Sequence, residues 1–214
     1  MVPSRHGLTP YTRDHSQLGH HKKNRNLRGS ASSQSNAMDR TGVSGNRHLL
    51  SKGRRTVIVI RIVAVDAATT ATEAQLSDDI FGTNGDGLNL KTGYNKCSYG
   101  QLQFEPLSSN PRIGADGVYT VHLRNTYVAG ATSGKVYNAA LAQATTDLGK
   151  SPHLLADHVM FCIPPGTSGG WIAYSAPDHW MSVYNDKWCQ SPSSGMHEFG
   201  KSMLSSPVQP LRRI

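Results

Sequence analysis

Residues Thr56 to Val65 read TVIVIRIVAV, a run in which only Thr56 and Arg61 interrupt a continuous apolar, mostly β-branched stretch. Side chains alternate between the two faces of a strand, so a run without alternation has to bury both faces. Strands of that kind lie inside sheets covered on either side. The run is too short to cross a bilayer as a helix, which needs about 20 apolar residues, and no other stretch of the chain approaches that length. A layered domain built around this strand, with no membrane span, is the expectation.

The pattern that follows supplies the layers. Thr72 to Phe81 predicts a short helix with Thr72 as N-cap, Gln75 three residues on, and Ala74, Leu76, Ile80 and Phe81 on its apolar side. Gly82 to Gly87 is turn-rich, and Asn89 to Gly100 is ambiguous in period. Gln101 to Leu107 and Val118 to Leu123 alternate as half-buried strands, expected to pair with each other around the Pro111 to Gly117 turn region. Gly134 to Leu148 spaces Val136, Ala140, Leu141, Ala144 and Leu148 as one side of a longer helix, with Gly149 as its C-cap. His158 to Ile163 predicts a buried strand ended by Pro164-Pro165-Gly166, Gly170 to Tyr174 another strand, and Ser193 to Leu204 the last helix. This order gives an α+β or three-layer mixed domain.

The net charge of +8 would suggest a nucleic-acid partner if it covered a folded surface. It does not: residues 1–55 hold eleven Lys and Arg against Asp14 and Asp39, a balance of +9, which leaves the other 159 residues near −1. A basic stretch rich in Ser, Asn, Gly and His cannot bury enough surface to offset its ordering entropy, so it reads as a disordered tail. It carries no aromatic interleaving, which argues against nucleic acid, and no apolar segment of a secretory signal precedes Thr56. The expected divisions are a tail at 1–55, a domain at 56–204 and a second tail at 205–214. Cys97, Cys162 and Cys189 fit no metal or redox spacing. Two of them could bridge in a secreted protein, or all three could stay reduced as small buried hydrophobes.

Most of the chemistry sits in Ser193 to Lys201, SSGMHEFGK. In the motif HExxH, two histidines one helical turn apart face one zinc ion, and the glutamate between them acts as general base. Here His197 and Glu198 fill the first two places and Lys201 stands where the second histidine belongs. A lone His-Glu pair is a weak signal, and Met196 and Phe199 beside it read as core contacts of the helix.

The surrounding blocks add weight. Glu73 to Phe104 (EAQLSDDIFGTNGDGLNLKTGYNKCSYGQLQF), Asp157 to Ser175 (DHVMFCIPPGTSGGWIAYS) and Trp180 to Gly200 (WMSVYNDKWCQSPSSGMHEFG) resemble, in order and spacing, the gametolysin (autolysin-type) zinc metalloendopeptidases. The resemblance covers about two thirds of the chain. It implies a zincin-like fold of the metzincin type, a twisted mixed sheet with packed helices, zinc as cofactor, and extracellular matrix or cell-wall proteins as substrates. On that resemblance His197 is the first zinc ligand, Glu198 the general base, and Gly170 to Tyr174 the edge strand that pairs with extended substrate. Localisation would be extracellular. Oligomeric state is left open.

From Lys201 onward, KSMLSSPVQPLRRI departs from the family pattern. The third ligand position falls near Pro207, which has no ligand atom and tends to stop a helix. A lysine is protonated near neutral pH and repels a dication. Replacement ligands would have to come from His122, His153, His158 or His179. Two readings therefore stand beside each other: a metalloendopeptidase domain with an impaired or inactive zinc site and its C-terminal subdomain missing, or a non-catalytic fragment acting as a protein-binding module.

Overall fold

The computed structural model describes residues 52–114 and 116–203. The tail expected at 1–55 falls outside them as far as residue 51, and so does everything from residue 204 onward, Pro207 included. Among the described residues the order is β1 (Gly53–Val63), α1 (Glu73–Phe81), α2 (Leu90–Cys97), β2 (Leu102–Pro106), β3 (Val118–His122), α3 (Ser133–Leu148), β4 (His158–Ile163), β5 (Ala173–Ser175), β6 (Met181–Asn185) and α4 (Pro192–Met203). Short 3₁₀ turns at Pro152–Leu154 and Asp186–Gln190 precede β4 and α4.

The strand read from the apolar run is β1, and it begins three residues earlier than Thr56 because Gly53 to Val57 pair with β2. Its side chains divide by parity. Ile58, Ile60 and Ile62 face one core with Val136, Ala140, Ala144 and Leu148 of α3, whereas Val57 and Val59 face a second with Leu76 and Ile80 of α1, Leu90 of α2 and Phe199 of α4. All five of these β1 residues are fully buried. A strand covered on both sides has no solvent face, which is why the sequence run does not alternate. The result is a mixed α/β domain in three layers: α3, the sheet, and the layer of α1, α2 and α4.

The sheet runs β2-β1-β4-β6-β5, with β3 also pairing β1. All pairs are parallel except β5 with β6. The expected pairing of β2 with β3 is corrected by this register: both are parallel to β1 and share its edge end to end. Leu107 N donates to Val57 O as β2 leaves, and Val59 N donates to Gly117 O as β3 arrives. Gly117 has φ +73°, and a Cβ there would lie 2.5 Å from Pro106 Cβ, so the junction needs a glycine.

Local signals set the helices. Thr72 and Gln75 form both bonds of a capping box at α1, and Gly82 ends it in the left-handed conformation. The ambiguous segment resolves as α2, capped by the same reciprocal device with Asn89 and Thr92. α3 buries Val136, Ala140, Ala144 and Leu148 at i, i+4 spacing and ends at Gly149. β5 is shorter than expected and shifted: Gly170 to Ile172 lie outside it and Ser175 inside.

Cys162 on β4 and Cys189 in the 3₁₀ turn before α4 form a disulfide, and Cys97 stays a free, exposed thiol. The bridge fastens the turn that leads into α4 to the strand beneath it.

Candidate functional site

α4 starts with Pro192 at its first position, where the missing N–H costs nothing, and Gly195 N bonds Ser191 O to open the first turn. The helix packs closely on α2: a Cβ on Gly195 would be 3.1 Å from Leu90 Cδ1, and one on Gly93 would be 2.8 Å from Met196 Sδ. Tyr94 OH donates to Met196 O across the same contact at 2.5 Å. Burial lifts the Tyr94 hydroxyl far above its usual pKa, so it is a permanent donor.

This docking orients the motif. Phe199 is fully buried against Phe104 and Tyr94, and its ring centroid lies 3.8 Å from that of His158. As expected from the sequence, Phe199 is a core residue, and Met196 packs partly buried beside it. Glu198 turns inward too, with 5% of its surface exposed, while the His197 side chain is 70% exposed.

The Glu198 carboxylate is fully engaged on one oxygen. Ser175 Oγ of β5 donates to Oε2 at 2.7 Å and also reaches Glu198 O at 2.9 Å. Lys201 Nζ donates to the same Oε2 at 3.1 Å. His197 Nε2 lies 3.8 Å from the other oxygen, Oε1. One helical turn after His197, where a second imidazole would present a lone pair, the chain thus presents an ammonium already paired with the carboxylate.

Among the other described histidines, His153, His158 and His179 have partners of their own. His153 and His179 stack on Trp180, with centroids 4.9 and 5.1 Å away. His158 is buried, with Nε2 2.9 Å from Ser182 Oγ and Nδ1 3.5 Å from Ser202 Oγ. Burial, aided by the neighbouring His179, pushes its pKa down to about 3. His122 is exposed at the end of β3. A cavity of about 220 Å³ lies between Phe104, His158, His179, Trp180, Ser202 and Met203, and neither His197 nor Glu198 lines it.

Two members of the site were missed in the sequence. Ser175 lies 23 residues from Glu198 with no local motif to mark it. Tyr184 is fully buried on β6, and burial chiefly raises the pKa of its hydroxyl; Ser182 partly offsets the rise and Glu198 adds to it.

Residues 54–203 match the family described as gametolysin peptidase M11. The chain belongs to that family. Neither a search of curated proteins nor one of solved structures found a match. Family membership implies zinc, and a catalytic zinc takes three protein ligands and an open position. The donor set here does not fit it. Lys201 has no lone pair to give while it is bound to Glu198, and among the described residues no three His, Cys, Asp or Glu groups converge on one point.

Proposed function

We propose that this chain is a gametolysin-type metalloendopeptidase domain whose zinc catalysis is impaired, so that its retained capacity is to hold an extended protein segment without cleaving it. Family membership supports the peptidase frame and a protein or peptide as the partner. The observation that carries the impairment is the Lys201 ammonium 3.1 Å from the buried Glu198 carboxylate, in the place where the second zinc ligand belongs.

The binding reading has its own support. Among the described residues β5 pairs only with β6, leaving one edge of a three-residue strand beside α4. A strand edge offers backbone N–H and C=O groups in register for an added strand, and alternate side chains supply selectivity. Asn185 Nδ2 donates to Trp171 O and Asn185 N to Ile172 O, which steadies the approach to that edge. Extracellular placement is part of the proposal, since a disulfide persists in oxidising compartments and the chain carries one. No helix among the described residues is long and apolar enough to cross a membrane.

The test is incubation of the full chain with gelatin or casein in the presence of zinc, paired with a pull-down on the same immobilised substrates. Retention without new fragments is the expected outcome. Zinc-dependent fragments that vanish in Glu198→Gln would overturn the proposal.

A further inference from the structure

We infer that the Lys201 ammonium occupies the Glu198 carboxylate, and that this turns the carboxylate into a latch between α4 and β5. The inference rests on the preceding reading that zinc is not held, and goes beyond it by assigning Glu198 a different task.

The geometry supports a latch on three counts. Glu198 is buried, and a carboxylate withdrawn from water has to be paired and hydrogen-bonded to be tolerated. Both partners converge on Oε2: Ser175 Oγ at 2.7 Å from the strand and Lys201 Nζ at 3.1 Å from one turn along the helix. The Ser175 hydroxyl has one proton, shared between Oε2 and the main-chain oxygen of Glu198 at 2.9 Å, so the strand is joined to both backbone and side chain of the helix.

A general base has to face substrate with a free lone pair. Here Oε2 is occupied twice, and Oε1 lies 3.8 Å from an exposed imidazole. The Lys201 side chain is 37% exposed while that of Glu198 is 6% exposed, so the pair joins a half-exposed ammonium to a buried carboxylate. β5 has only three residues and one neighbouring strand among those described, which is a weak hold without a further fastening.

The experiment compares the full chain with Lys201→Met, Glu198→Gln, the double variant and Ser175→Ala, by thermal denaturation and by deuterium exchange at residues 173–175. Lys201→Met keeps an apolar stem but strands the buried carboxylate. It is expected to lower the melting midpoint by about 5 °C or more and to speed exchange in β5. Adding Glu198→Gln removes the stranded charge and should recover most of the midpoint, because the amide oxygen still accepts from Ser175. Ser175→Ala should speed β5 exchange while sparing most of α4.

A Lys201→Met protein as stable as the parent, or β5 exchange unchanged in Lys201→Met and Ser175→Ala, overturns the latch. Zinc measured in the same samples separates the two proposals. Zinc in the parent, lost in His197→Ala, overturns both, whereas unchanged stability in a zinc-free parent overturns the latch alone.

Discussion

At the scale of single residues, two buried groups govern how this domain answers to its surroundings. His158 is enclosed by Phe199, Ser182, Ser202 and His179, and it stays neutral in the folded chain until about pH 3. An unfolded chain protonates the same imidazole near pH 6.5. Between those values the unfolded state binds more protons, so the stability that His158 contributes is complete above about pH 6.5 and is lost as pH falls below it. The expected loss is about 1.4 kcal/mol per pH unit, or roughly 2 kcal/mol between pH 6.5 and 5. Urea midpoints measured at pH 7.5, 6 and 5 should show that slope, and His158→Gln should flatten it; a parent equally stable at pH 7.5 and 5 would contradict it. Glu198 is the second group, and its dependence on a single ammonium makes Lys201 the more sensitive position of the motif. The sequence made Lys201 visible as a departure because a metal-binding helix has a fixed offset of four. The pairing of Glu198 with Ser175 was not visible, because that contact joins a strand to a helix 23 residues later.

Among the elements, α4 carries the most consequence and has the fewest local reasons to form. It holds two glycines, and its place is set by α2, by β5 and by the turn anchored at Cys189. Gln190 Nε2 bonds Asp79 Oδ2 at 2.8 Å, which ties the same turn to α1. The disulfide closes a separation of 27 residues that contains β5 and β6. On chain-entropy grounds, Cys162→Ala with Cys189→Ala should cost about 3 to 4 kcal/mol, with exchange rising first in α4. A denaturation midpoint unmoved by the double replacement would show that packing alone holds the turn. Spacing did not choose this pair over an all-reduced set, since neither cysteine lies in a motif. The capping box of α1 was legible because Thr72 and Gln75 act on backbone only three residues away. α2 was not, because Asn89 and Thr92 do the same work with residues that more often mark turns, and Gly93 breaks the apolar period. β2 and β3 were legible as strands but not in their pairing, because both find β1 and the parallel partner lies outside any local signal. Gly117→Ala tests that junction: positive φ and the Pro106 contact together should cost about 2 kcal/mol or more, read by chemical denaturation.

For the whole molecule, a three-layer α/β domain of the gametolysin peptidase family carries His197 and Glu198 on α4 and turns the glutamate inward. The family was legible because several long blocks agree, and the layers were legible because β1 has no polar face. The state of the site depended on contacts between elements far apart in the chain, which only the fold supplies. The proposed state of the site is one that holds no zinc, with the Lys201 ammonium paired to Glu198. The most direct test is the zinc content of the full chain by elemental analysis after dialysis, with His197→Ala as control. Far less than one zinc per chain, unchanged in the control, is the expected result; about one zinc per chain, lost in His197→Ala and accompanied by casein cleavage, would contradict it.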